Sequence, residues 1–335
     1  MKLLYHLHAY PPGHNAGAEW MAHSMLRWLV KAGHECHVLT TCQENYELDG
    51  VKVFRDDFDN CNREWRWCDL GLTHLVRSGK AWNWHAMTMK PIIYVVHNTF
   101  TNRLVEVKQD FALIYNTDWA MEDGKKKGYR HISTVLHPPV YFDDYHTESK
   151  KRKYITLINC WPRKGGKVLS DLAKMLPEYE FLGVKGGYGD QVITPMKNLH
   201  YVENTPDIKS IYAQTRILIM PSVYESYGRT AVEAMCSGIP VIATDTPGLR
   251  ESLGKCGLFA PPIPSEDENF LEADPFAYWI KELDNKELYN EISQKSIARA
   301  KLLNARSEDE MKDLETWLKK LKQYKIDTSN VIQYV

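Results

Sequence analysis

The chain has 335 residues and carries 42 Lys plus Arg against 43 Asp plus Glu, a net charge of −1. That balance excludes a global field suited to nucleic acid or an anionic membrane, and the length suits two domains of ordinary size. Seven cysteines without a C-x-x-C pair, no apolar run of membrane-spanning length and an N-terminus that opens on a strand give the expectation of a soluble, cytoplasmic protein with reduced thiols.

Lys2 to Ala9 reads as a central strand, followed by a loop over Tyr10 to Ala16. A helix from about Gly17 to Ala32 closes at Gly33-His34, and Glu35 to Thr41 makes the next strand. His6 and His8 fall on one face of a strand at this spacing. No third ligand is visible beside them, so structural histidines are expected and no metal site. A short strand at Val51 to Arg55 precedes a stretch, Asp56 to Trp67, read as irregular. A strand near Asp69 to His74, a helix over Leu75 to Met89 and a strand over Pro91 to Val96 follow, the last ending in His97-Asn98. Trp65-Arg66-Trp67 and Trp82-Asn83-Trp84-His85 suit two readings equally, stacking on sugars or bases and burial in the core. Phe111 to Asn116 is a further strand, with a helix to about Gly128, then Ile132 to Leu136 and His137-Pro138-Pro139-Val140. Strands alternating with helices indicate a doubly wound domain over residues 1–150, with the charged run Glu148 to Lys153 as hinge.

The pattern restarts at Tyr154 to Cys160, and Pro162-Arg163-Lys164-Gly165-Gly166 opens a helix to about Leu176. A strand at Tyr179 to Val184 leads into the glycine loop Lys185 to Gly189; Leu199 to Val202 and Pro206 to Gln214 read as strand and helix. The stretch from Ile217 to Glu251 is the most informative. An apolar strand (Ile217 to Met220) ends in Pro221-Ser222, a polar loop carries Glu225, and a helix from Arg229 to Ser237 carries Glu233 and stops at Gly238. Pro240 to Thr244 is a second buried strand, and Thr246-Pro247-Gly248 turns into a short helix. This is a βαβ unit, and parallel sheets place ligands at the carboxyl ends of their strands. Three helices are expected afterwards, over Pro275 to Leu283, Lys286 to Leu303 and Ser307 to Tyr324. The second domain then spans 151–305, with a terminal helical segment, 306–335, packing back on the first domain through Trp317.

Pro221-Ser222, Glu225, Glu233-Ala234-Met235 and Gly238-Ile239-Pro240-Val241, with seven residues between the glutamates, resemble the donor-site signature of a large glycosyltransferase family. It is the retaining family 4 group, which includes sucrose synthase and many bacterial glycan-building enzymes. So many fixed positions at fixed spacing make a specific signal. The resemblance covers Leu3 to Glu251 and implies an α/β GT-B fold, two facing doubly wound Rossmann-like domains with the active site between them. It implies that Glu225 contacts the donor sugar and Glu233 the ribose hydroxyls. The loop Ser226, Tyr227, Gly228, Arg229 and Thr230 lies at the helix start between these glutamates, and its cofactor-site role follows from the same signature. The resemblance also implies that Lys164 meets the donor diphosphate, with Arg163 and Asn159 beside it, that Gly186, Gly187 and Gly248 pass close to the nucleotide or sugar, and that Gly17 offers its backbone to a ligand. His97, at a strand end, becomes the candidate donor of a hydrogen bond to the reacting sugar, although 12 of the 13 histidines precede residue 150 and its position could be chance. The chain departs from the family pattern at Ala16, Asn98 and Asn159, the last exchanging an arginine for a neutral amide.

The implied reaction moves a sugar from a nucleoside diphosphate, UDP or GDP for preference, to an acceptor hydroxyl with retained configuration. Lys164 and helix-terminal amides would neutralise the leaving group without a metal or other cofactor. A glycan or small-molecule acceptor is favoured over a hydroxylated DNA base, because 17 basic against 18 acidic residues precede position 151. A catalytically silent nucleotide-sugar or glycan binder is the reading from another class, and oligomeric state is open.

Overall fold

A computed structural model describes residues 1–100, 108, 110–149, 151–261, 267, 269 and 271–323. The Tyr324 end expected for the last helix, residues 324–335 of the expected terminal segment and hinge residue 150 lie outside that set. The chain divides into two units: Met1–His14, Ala18–Pro139 and Glu308–Val335 form the first, Asn15–Gly17 and Val140–Ser307 the second.

In the first unit the apolar runs become strands β1 Lys2–His6, β2 Glu35–Thr40, β3 Tyr46–Leu48, β4 Val51–Arg55, β5 Leu70–Thr73, β6 Ile92–Val96, β7 Phe111–Tyr115 and β8 Ser133–Val135. Every residue of β5, β6 and β7 is buried. Burial on both faces is what a parallel sheet flanked by helices requires, and it explains why these runs do not alternate apolar with polar. The sheet order is β3-β4-β2-β1-β5-β6-β7-β8, parallel except for the β3–β4 pair. Helices α1 Gly17–Lys31, α2 Phe58–Trp67, α3 Ser78–Thr88 and α4 Asp118–Lys126 connect these strands. The stretch read as irregular is therefore mostly helix. Asp57 accepts the Asn60 N–H at 2.9 Å and caps α2, and Trp65 fills the core beneath it.

The second unit holds β9 Tyr154–Ile158, β10 Phe181–Val184, β11 Leu199–Val202, β12 Thr215–Met220, β13 Val241–Thr244 and β14 Leu258–Ala260. Their order is β11-β10-β9-β12-β13-β14, with every pairing parallel. The helices are α5 Phe142–Tyr145, α6 Gly166–Met175, α7 Ile208–Tyr212, α8 Arg229–Cys236, α9 Pro247–Leu253, α10 Asp274–Glu282 and α11 Lys286–Gln323. Each sheet runs outward in one direction from its central strand and then resumes on the other side. Strand order reverses between β1 and β5 in one and between β9 and β12 in the other. Both reversals leave a crevice at the carboxyl ends, where doubly wound sheets take ligands.

One continuous helix, α11, replaces the two expected over 286–324. Asn304 and Ser307 look like a helix stop and a new cap, but each side chain is used otherwise. Asn304 Oδ1 accepts the Phe142 N–H at 2.8 Å, and Ser307 Oγ donates to Leu303 O within the helix. Ala300 and Leu303 belong to the core of the second unit, while Met311, Leu314, Leu318 and Leu321, with Trp317 against them, belong to that of the first. Six cysteines are buried, Cys42 is half-buried, and all seven are free.

Among the glycines, Gly248 is fixed by close approach, because a Cβ there would overlap the backbone of Glu225 and Ser226. At Gly17 a Cβ would meet nothing within 4 Å. Gly248→Ala is therefore expected to lower stability by about 1–3 kcal/mol, the usual range for overpacking. Gly17→Ala should leave it unchanged or raise it by about 0.5–1 kcal/mol, as alanine favours the helix. Thermal unfolding of the two variants side by side checks both signs.

Candidate active site

The β9–β12 reversal brings together residues far apart in sequence. Just past β9, Asn159 adopts φ 74°, a left-handed conformation that asparagine tolerates better than most residues. Its Oδ1 accepts the Trp161 N–H at 3.1 Å, and Gly186 packs so closely that a Cβ would collide with the Asn159 amide. A short 3-10 turn, Pro162–Lys164, follows. Gly165, at φ 90°, lies directly on Pro221, the residue after β12. This contact sets two loops side by side and delivers Lys164 to Glu225. The Nζ donates to Glu225 Oε1 at 2.6 Å and lies 3.4 Å from Tyr224 O, while Ser222 Oγ donates to the same carboxylate oxygen at 3.0 Å. The Lys164 and Glu225 side chains keep 20% and 14% of their surface, so an entering anion can reach them.

Burial works to lower the pKa of Lys164, but the Glu225 carboxylate outweighs it and the net direction is upward. A cation raised in the folded state contributes stability present below its unfolded value near pH 10.5 and lost only as pH rises through the folded one. At neutral pH Lys164 is a fixed positive charge. Arg163 is half-buried and anchors the neighbouring loop, its carbonyl accepting the Val223 N–H at 3.0 Å.

Gly228, at φ 79°, turns the chain into α8. Gly248 packs against the backbone of Glu225 and Ser226 in the loop before this helix. Ser226 and Thr230 are half-buried. Tyr227 points into the core, with its hydroxyl accepting from Arg306 at 3.2 Å. Glu233 is held at both oxygens: Arg229 Nε donates to Oε1 at 2.7 Å and the Tyr212 hydroxyl to Oε2 at 2.9 Å. Arg229 also donates to the Tyr145 hydroxyl at 2.7 Å. Its pKa is raised because Tyr145 and Glu233 overcome a burial effect in the opposite sense. Gly186 gives its N–H to Gln191 at 2.8 Å, and Gly187 lies against the Asn15 carbonyl.

In the first unit His97 follows β6, and its Nε2 lies 2.8 Å from His74 Nδ1, which is also 3.1 Å from the Tyr5 hydroxyl. Burial, followed by the effect of His8, pushes His97 down to about 3, so it is neutral at physiological pH. His6 and His8 part company because β1 ends at His6. His6 meets Trp65 and Asp56, whereas His8 Nε2 lies 3.5 Å from Glu19 Oε1. The expectation that both would share one strand face is corrected accordingly. The tryptophan clusters are largely structural: Trp65 and Trp84 are buried, and Trp67 stacks on His37 with ring centroids 3.7 Å apart. Trp82 lies under Lys108, 3.8 Å from ammonium to ring centroid.

Sequence reasoning missed Ser222 as the second donor to Glu225, Tyr145 and Tyr212 as the groups orienting Glu233 with Arg229, and His74 as the partner of His97. The Ser-x-x-Glu spacing and the Arg229–Glu233 i,i+4 spacing were readable signals. Tyr145, 84 residues from Arg229, had none.

Residues 183–273 match the profile of the family described as "Glycosyl transferases group 1". Mannosylfructose-phosphate synthase of Agrobacterium fabrum is 32% identical over 99 residues, which is 29% of this chain and 20% of the synthase. O-antigen chain mannosyltransferase B of Escherichia coli is 37% identical over 67 residues, 20% of this chain and 17% of that enzyme. The matched region thus spans about a fifth of either relative. Among solved structures, HepE from Anabaena in complex with UDP and glucose superposes with a TM-score of 0.74 over 94% of this chain and 99% of its own, at 17% identity. No helix among the described residues is long and apolar enough to cross a membrane. The two parallel sheets are those of the GT-B fold, and within it residues 183–273, which contain both Glu225 and Glu233, match the group 1 glycosyl transferase profile.

Proposed function

We propose that the protein is a retaining glycosyltransferase that moves a sugar from a nucleoside diphosphate sugar to an acceptor hydroxyl. The observation that carries this reading is the Lys164–Glu225–Ser222 group at the β9–β12 reversal, a fixed cation and an oriented carboxylate side by side. A departing diphosphate needs compensating charge where it forms, and Lys164 with the α8 amides supplies it. Swapping its partner from Glu225 to phosphate frees that carboxylate to accept from sugar hydroxyls. Glu233 has lone pairs beyond those used by Arg229 and Tyr212, so it can also accept from the two ribose hydroxyls.

Metal independence is part of the proposal. Among the described residues, no cluster of side chains able to hold an ion includes Glu225 or Glu233. With no second carboxylate assigned as nucleophile, the acceptor attacks on the face the diphosphate leaves, and a phosphate oxygen takes its proton. This front-face course retains configuration. A glycan acceptor is favoured because one relative builds O-antigen chains. UDP is the first nucleotide to try, since HepE was captured with it.

Nucleotide release from a panel of UDP-, GDP- and ADP-sugars is the direct measurement. One donor should be hydrolysed slowly, and Lys164→Ala should cut the rate about 100-fold or more, the usual loss for one charge-stabilising group. Tight nucleotide binding without release, with acceptor mixtures as silent as buffer, would instead favour the silent binder. Glu233→Ala should weaken nucleotide binding about tenfold or more in calorimetry, and chelator should leave wild-type nucleotide affinity unchanged. Unaltered affinity in the variant would remove the ribose role.

A further inference from the structure

We propose that His8, Glu19 and His74 form a binding site for a divalent transition-metal ion of the zinc class. One ligand atom from each lies within 4.8 Å of the other two. Two ligands about 2.1 Å from a tetrahedral ion sit about 3.4 Å apart, and His8 Nε2 lies 3.5 Å from Glu19 Oε1. His74 is fully buried, yet its Nε2 has no hydrogen-bond partner. An unsatisfied buried imidazole nitrogen is costly, and an ion on His74 Nε2 would offset that cost. Glu19 is buried as well. Neutral imidazoles with a single carboxylate select zinc-like ions over calcium or magnesium, which favour all-oxygen shells.

The location fits a purpose. His8 follows β1, Glu19 is in the first turn of α1 and His74 follows β5, so the three ligands span the reversal in strand order of the first sheet. With its Nε2 on the ion, His74 bears its proton on Nδ1 and donates it to His97 Nε2, the outer contact that metal-bound histidines usually make. His97 then carries its own proton on Nδ1, the tautomer that can donate elsewhere. The neighbouring group His6, Asp56 and Cys61 is a poorer candidate, because Asp56 already pairs with Lys80 and lies 3.4 Å from Arg77.

The test is zinc stoichiometry and affinity of the full chain, by elemental analysis after dialysis and by competition with a chromophoric chelator. One equivalent is expected, with affinity reduced about 100-fold or more in Glu19→Gln and His74→Ala, while His200→Ala, on the surface of the second unit, matches wild type. Should either variant misfold, cobalt(II) titration of the wild type decides. Its visible bands should report four-coordinate nitrogen and oxygen ligation. Less than a tenth of an equivalent of zinc, binding indifferent to both variants, or an octahedral cobalt spectrum overturns the proposal. Metal content is read without turnover, so its failure leaves the donor-site reading intact.

Discussion

Everything functional in this molecule depends on one constraint: a parallel sheet delivers every strand to the same edge. Where strand order reverses, the loops after two adjacent strands diverge and leave a crevice that no helix covers. Lys164 and Glu225 meet because they follow β9 and β12. His8 and His74 meet because they follow β1 and β5. Neither pair is near in sequence; the sheet brings the strand ends together, and for Lys164 and Glu225 the Gly165–Pro221 contact completes the approach.

The two acidic centres of the second unit differ in how firmly they are held. Lys164 and Glu225 share one strong contact and retain some exposure, so their pairing can be exchanged for a ligand. Arg229 and Glu233 are more enclosed, with side-chain exposures of 7% and 11%, and two tyrosines complete the network. In a low-dielectric interior a satisfied network of this kind fixes one geometry, and removing a member costs more than a single bond suggests. Glu233 thus has a set direction before any ligand arrives.

Much of this was legible in the sequence. The βαβ unit from β12 to β13 stood out because its glutamates, glycine and prolines keep fixed spacing, and that spacing is set by a strand end, a loop and one helix. The parts that stayed hidden are those decided by distant partners. Helix α2 reads as irregular because its buried face, Cys61, Glu64 and Trp65, sets a charged residue between two apolar ones at helical spacing, while the Asp57 cap and the burial of Trp65 settle the matter. The stop expected near Asn304 and Ser307 vanished because both side chains bond elsewhere. The His74–His97 contact joins the ends of two strands, and no local pattern records it.

The burial of the cysteines carries a practical consequence for chemistry on the native protein. Burial pushes the thiols of Cys36, Cys61, Cys68, Cys160 and Cys236 up to about 12, so each is almost wholly protonated at neutral pH. Thiolates, not thiols, react with alkylating agents and oxidants. Burial raises the Cys42 thiol too, but Cys42 alone is half-open to solvent. A maleimide dye would therefore attach first at this position near β2, giving the first unit a single spectroscopic handle without engineering. The remaining six would register as latecomers, each marking the moment its own part of the core opens.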